Sequence, residues 1–285
     1  MQVVATLSLK GGVGKTTVVL GLAGAAQLHG LRTLVVDLDP QANATIALDA
    51  APTACSIADV LDEPRRSVIR QAIAPSAWGE PLDVLTGSED TERHNNPEPG
   101  LLQLNRLARA LELLEEMLRE DGAEPYRLVI VDCPPSLGQL TRCALAAAHR
   151  ALLVTDPTMF AVSGVQRAFE AIQMERRRGN PNLQPLGVLI NRARPRNLEH
   201  EYRIAELREL FGPLVLPQVV PDRSAVQQAQ GACIPIQRWD TPGAREVSAI
   251  FNTLLGRVLR SGRGRPRPHP APATSSQETW MSQEI

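Results

Sequence analysis

The sequence predicts an α/β chain: a doubly wound, mostly parallel sheet with helices on both faces. Short continuous runs of Val, Ile and Leu recur at Val3–Leu7, Thr33–Val36, Leu128–Val131, Ala151–Val154, Leu186–Ile190 and Leu214–Val220. Continuous rather than alternating apolar runs belong to strands covered on both faces. Helical stretches lie between several of them, as in a parallel sheet. A glycine-rich loop also follows the first run and opens the first helix, the order expected where a ligand sits beyond strand C-termini.

Taken in order, Val3–Leu7 is the first strand and Thr16–His29 an Ala/Leu/Val-rich helix that stops at Gly30. Leu101–Arg119 repeats Leu at helical spacing, with Glu112, Glu115, Glu116 and Glu120 on or beside its polar face. Gly87–Gly100 and the stretch after Asn191 have loop composition. Arg245–Arg260 carries an apolar stripe expected to pack on the sheet as the final helix. From Ser261 the chain becomes Gly, Pro, Ser and Arg with few aliphatics. One domain over 1–260 and a disordered tail over 261–285 are therefore expected. There is no internal repeat.

Composition narrows the function classes. With 43% apolar but only 3% aromatic residues, aliphatics and Ala must fill the core. A net charge of −1 gives no global signal for nucleic acid, so any such contact must be a local patch. Cys55, Cys133, Cys143 and Cys233 are scattered, with no CxxC and no His at ligand spacing, which predicts reduced thiols and no zinc site. No charged and apolar leader opens the chain, and no run approaches the ~18 residues of a membrane span. A cytoplasmic protein is expected.

Of 30 basic residues only two are lysines, Lys10 and Lys15, and both lie in SLKGGVGKTT. Gly11, Gly12 and Gly14 let the backbone approach a phosphate chain; with Val13, Thr16 and Thr17 the loop would present N–H groups and a helix N-terminus to it. Lys15 would reach the terminal phosphates and the Thr16 hydroxyl a Mg²⁺ ion. A compact ammonium suits such a loop better than a planar guanidinium. The strict GxxxxGK[ST] pattern fails because Leu9 occupies its first Gly; a plain glycine turn before a helix is the alternative.

Three further strand ends carry polar groups. TLVVDLDPQANAT places Asp37 and Asp39 two apart, facing the same way if the strand runs through both. They could orient a water or hold Mg²⁺ through water, while a local turn at Asp39-Pro40 is the alternative. LVIVDCPPS ends in Asp132, a second candidate for Mg²⁺, with turn capping as its alternative. GVLINRARPR brings Asn191 to a strand end, where an amide can meet an adenine edge. VVPDRSAV brings Pro221 and Asp222. The arginines at 192, 194, 196 and 223 follow these last two ends. They are candidates for a DNA backbone, or simply a solvated face.

KGGVGKTT, DLDPQAN and the Asp132 strand, in that order, resemble the deviant Walker A ATPases of the ParA/MinD family, which includes the nitrogenase iron protein. The resemblance spans roughly residues 1–258 and is nearest the ParA/Soj chromosome-partitioning branch. It implies ATP and Mg²⁺ as cofactors and a homodimer sandwiching ATP, in which Lys10 crosses to the partner's nucleotide. Catalytic roles would fall to Lys10, Lys15 and Asp39, with Asp39 positioning the attacking water. Asp37 would lie near the metal, and Asn191, Pro221 and Asp222 would surround adenine. It further implies a slow, partner-stimulated switch that binds DNA non-specifically, answers to a ParB-like activator and associates with the nucleoid. A strand starting at residue 2 leaves no room for the N-terminal helix-turn-helix of larger plasmid relatives, so operator binding is not expected. The competing expectation is a MinD-like regulator on the membrane; the Pro-rich end of the chain argues against it. An amidoligase or an electron-transfer reductase on the same loop is a further rival, disfavoured by chain length and cysteine pattern.

Overall fold

The computed structural model describes residues 1–96 and 98–262. Eight strands form one sheet: β1 (Gln2–Leu7), β2 (Thr33–Asp37), β3 (Ile73–Pro75), β4 (Leu82–Leu85), β5 (Leu128–Asp132), β6 (Arg150–Thr155), β7 (Gln184–Ala193) and β8 (Val215–Pro221). The helices are α1 (Lys15–Leu28), α2 (Asn43–Ala47), α3 (Ile57–Asp62), α4 (Arg66–Ala72), α5 (Leu101–Leu104), α6 (Arg106–Glu120), α7 (Gln139–Ala147), α8 (Ala161–Arg178), α9 (Leu198–Phe211), α10 (Ser224–Gly231) and α11 (Pro242–Ser261).

The sheet order is β3-β4-β2-β5-β1-β6-β7-β8. All neighbours are parallel except β3 on β4. The chain winds one way from β1 to β2 and the other way to β6, so β1 ends at a point where strand order reverses. Crevices at such points are where doubly wound sheets bind ligands.

Two cores follow from side-chain alternation along the strands. Val3, Ala5 and Leu7 join Leu34, Val36, Val129 and Val131 on the face covered by α6, α7 and α8. Val4, Val35, Ile130, Leu152 and Val154 face α1 and α11 on the other. Helix α1 is buried almost all round because α11 lies over it; Phe251 packs where a side chain on Gly21 would collide with its ring. Val247, Phe251, Leu254, Leu255 and Val258 of α11 are buried, as expected of a final helix docked on the domain.

Four features depart from expectation. Strands β3 and β4 are too short, at three and four residues, to register as apolar runs. The single helix expected over Leu101–Arg119 is two, α5 and α6, separated at Asn105, whose φ of −90° and ψ of 0° lie in the bridge region. Gly87–Gly100 is not plain loop: Glu89–His94 forms a 3₁₀ turn that buries Thr91 and His94. Strand β2 stops at Asp37, so Asp39 is not on the same strand and the two carboxylates do not share a face through strand alternation. The expected tail lies outside the described residues, apart from Ser261, which ends α11, and Gly262.

Candidate active site

The loop from Ser8 to Gly14 joins β1 to α1 at the C-terminal rim of the sheet. Gly12 and Gly14 have φ of +78° and +86°, where a Cβ is strained. Gly14 is also closed to a larger residue, because a Cβ there would run into the Asn191 amide. Lys15 opens α1 and is buried, its charge stabilising the ionised form of Asp132. Lys10 turns the other way. Its ammonium lies 2.8 Å from Asp156 Oδ2 and 3.2 Å from Thr158 Oγ1, and the side chain is 43% exposed. The two lysines thus lie in different surroundings, one buried and one half-exposed.

Parallel register places Asp132 beside both Asp37 of β2 and Thr6 of β1. The Thr16 hydroxyl donates to Asp132 Oδ2 at 2.7 Å. The other oxygen, Oδ1, is buried without a partner. Asp37 accepts from the Thr45 N–H and hydroxyl, each at 2.8 Å. Helix α2 brings Thr45 there, and Gly87 leaves the room, since a Cβ on it would stand 2.9 Å from the Asp37 carboxyl carbon. Asp39 is held in a turn, with its own N–H on Asp37 Oδ1 at 3.3 Å and the Gln41 N–H on its Oδ1 at 3.1 Å. The local turn and the functional placement are therefore compatible.

Burial dominates the electrostatics. It pushes Asp132 up to about 8, helped by the charge of Asp37 and opposed by Thr16 and Lys15. Burial likewise raises Asp37 to about 6, against the Thr45 hydrogen bonds. A divalent cation would relieve this cluster, and Thr16 with the orphaned oxygen of Asp132 supplies the donor set. Among the described residues no three His, Cys, Asp or Glu side chains converge on a metal. Such an ion would keep waters and phosphate oxygens as its other ligands, which is the habit of Mg²⁺. The residues present fit the group. Cys133, beside Asp132, is buried and its thiol is pushed upward, mainly by that burial, so it is filler and not a nucleophile.

Beyond the loop, a cleft of about 180 Å³ is lined by Gly12, Gly14, Thr17, Asn191, Pro221, Asp222 and their neighbours. Asn191 lies within β7 rather than at its end, and Pro221 closes β8 rather than beginning a turn. Asn191 Nδ2 donates to the Val13 carbonyl at 2.8 Å and leans on that of Gly14 at 3.4 Å. Gln230 of α10 donates to Thr17 Oγ1 at 3.1 Å. Arg192 donates to the Gly12 carbonyl at 2.7 Å. Arg194 pairs with Asp222 at 3.0 Å and Arg223 with Glu246 at 2.8 Å. Arg196 makes no ion pair among the described residues.

Sequence reasoning missed Asp156, Thr158, Thr45 and Gln230. A signal existed for the first two: Thr155-Asp156-Pro157 is one more strand end carrying an acid. Thr45 closes the stretch that holds Asp37 and Asp39, yet nothing in its spacing showed that it would turn back. Gln230 gave no signal.

A glycine loop between the central strand and its helix, with an acid ending the adjacent strand at the reversal of strand order, defines a P-loop nucleoside triphosphatase. An AAA domain family, AAA_31, matches residues 1–185. The chromosome-partitioning ATPase Soj of Thermus thermophilus is 32% identical over 90% of this chain and 96% of its own. The chromosome partitioning protein ParA of Caulobacter vibrioides is 32% identical over 84% and 88%. The chain belongs to this AAA domain family, among the ParA/Soj-type P-loop ATPases. A solved cobyrinic acid a,c-diamide synthase from Mycobacterium smegmatis, with bound ADP and magnesium, superposes with a TM-score of 0.72 at 26% identity, covering 95% of this chain and all of that one. The septum site-determining protein MinD of Pyrococcus horikoshii, complexed with Mg-ADP, reaches 0.68 at 21% identity over 89% and 95%, a likeness of fold alone.

Proposed function

We propose that this protein is an ATP-dependent switch that partitions or positions DNA or another cargo. ATP with Mg²⁺ closes a homodimer, the dimer holds DNA non-specifically, and slow hydrolysis, stimulated by a ParB-like partner, releases it. The observation that carries this is the division of labour between the lysines. Lys15 is buried at the start of α1, where its charge acts on Asp132, whereas Lys10 stands half-exposed on the rim with Asp156 and Thr158. A lysine so placed is of use to a nucleotide approaching from outside.

Within one subunit, the loop N–H groups and Lys15 would hold the β- and γ-phosphates. Thr16 and Asp132 would hold Mg²⁺, with Asp37 behind them. When bound, that ion neutralises charge developing on the phosphate oxygens. Asp39, fixed by its turn beside Asp37, would orient the attacking water and accept its hydrogen bond. Asn191, Pro221 and Asp222 would line the base. DNA would meet Arg194, Arg196 and Arg223 beyond β7 and β8. The surface pairs of Arg194 and Arg223 are weak enough for phosphates to displace.

Against the MinD-like alternative, the apolar stripe of α11 is buried on α1 and the sheet. It is not free to lie in a membrane surface. Among the described residues no helix is long and apolar enough to cross a membrane. Binding of Asp39→Ala to random-sequence duplex DNA and to anionic liposomes, with ATP, ADP or neither, separates the readings. A DNA shift with ATP alone supports the switch. Liposome pull-down without a DNA shift would establish the MinD-like reading instead.

A further inference from the structure

We infer that Arg192 is a positioning residue of the phosphate loop. Three successive loop carbonyls, those of Gly12, Val13 and Gly14, accept from Asn191 and Arg192 of β7. In a trans peptide the carbonyl of one residue and the N–H of the next point in opposite directions in one plane. Holding these carbonyls on the β7 side therefore aims the N–H groups of Val13, Gly14 and Lys15 away from β7. Those are the donors a phosphate chain needs, and a carbonyl turned inward would repel it. Asn191 secures the plane after Val13, and the Val18 N–H, bonded to the Gly14 carbonyl at 3.1 Å, holds the next with help from the Asn191 amide at 3.4 Å. The plane between Gly12 and Val13 depends on Arg192, whose Nη1 lies 2.7 Å from the Gly12 oxygen.

Arg192 shares a left-handed backbone and the lack of an ion pair with Arg196, whose φ is +61°, and its bond to the loop carbonyl sets it apart. Its backbone lies in the left-handed region, with φ of +56°, where an L side chain is disfavoured. Arg194 and Arg223 answer acidic side chains, whereas Arg192 forms no ion pair among the described residues and caps a backbone oxygen instead. Gly12 itself has φ of +78°, and beyond its chain neighbours no atom lies within 4 Å of where a Cβ would stand, so no contact on that side restrains it. The arginine supplies that restraint from 180 residues away.

The inference rests on the loop cradling phosphate, as proposed for this chain. Its test is binding of ATP, ADP and adenosine to wild-type protein, Arg192→Ala, Arg192→Lys and Arg192→Gly, at low salt and at about 0.5 M salt. Arg192→Ala should weaken ATP and ADP roughly 2- to 12-fold, the net worth of one ordinary hydrogen bond. Adenosine, measured as a competitor, should be unchanged. The loss should persist at high salt, where simple attraction of the guanidinium for phosphate is screened. Arg192→Lys should recover part of it. Arg192→Gly relieves the backbone, so its melting temperature should match or exceed wild type while ATP affinity still falls; that split excludes misfolding as the cause. Unchanged ATP binding by Arg192→Ala overturns the inference, and with weakened DNA binding it makes Arg192 a DNA contact. Equal loss of adenosine and ATP also overturns it. Failure of the wild-type protein to bind ATP would instead defeat the nucleotide assignment itself.

Discussion

Asp132 has one oxygen on Thr16 and the other buried without a partner. Without a cation, its pKa of about 8 and that of Asp37 near 6 lie above the ~3.9 of an unfolded Asp. The folded state then binds more protons than the unfolded one between about pH 4 and 8, so stability falls as pH rises through that window. Asp132→Asn should remove the upper part of the fall, so that its melting temperature exceeds wild type at pH 8 but not at pH 4, while Mg²⁺-dependent ATP hydrolysis is lost. Thermal unfolding at both pH values, with chelator, checks this; identical pH profiles for the two proteins would contradict it. Lys10→Arg should leave nucleotide binding by the monomer within about twofold. Dimer-dependent hydrolysis should drop on the order of 10²-fold, the worth of one preorganised donor at the reacting phosphates. The strand-end acids were legible because β2 and β5 are continuous apolar runs that stop at them. Their partners were not: Thr16–Asp132, Lys10–Asp156 and Asn191–Val13 are separated by 116, 146 and 178 residues. Only the wound sheet brings them together.

Helix α11 shows what could and could not be read at the scale of elements. Its apolar stripe had two uses open to it, a membrane surface or the sheet, and packing over α1 decides for the sheet. Phe251 is fully buried against Gly21, so Phe251→Ala should cost about 3–5 kcal/mol. Gly21→Ala should cost about 1–3 kcal/mol through overpacking. Chemical denaturation measures both, and losses below about 1 kcal/mol would mean that α11 is only loosely docked. Continuous apolar strands announced themselves, as did α1. Strands β3 and β4 did not, because three residues ending in Pro75 and the four of Leu-Asp-Val-Leu carry too little pattern; the sheet edge they join defines them. The break at Asn105 was equally silent, since the Leu spacing continues in phase across it and Leu104 and Leu107 are both buried.

As a whole, the molecule has a net charge of −1, so the proposed DNA binding needs a local patch, and the rim beyond β7 and β8 is the one proposed. Contact with ~4–6 phosphates predicts that log affinity falls against log salt with a slope near −4 to −5. A slope near zero would remove DNA from the account. The groups proposed for nucleotide, metal and DNA all lie along the C-terminal rim of the sheet, where Lys10 is 43% exposed beside Asp156. We propose that a second subunit completes this rim. Light scattering on Asp39→Ala with ATP and Mg²⁺ measures this. The mass should double with ATP and not with ADP, and the doubling should vanish when Lys10→Ala is added. A mass that stays monomeric with ATP bound, or a dimer indifferent to Lys10, would contradict it.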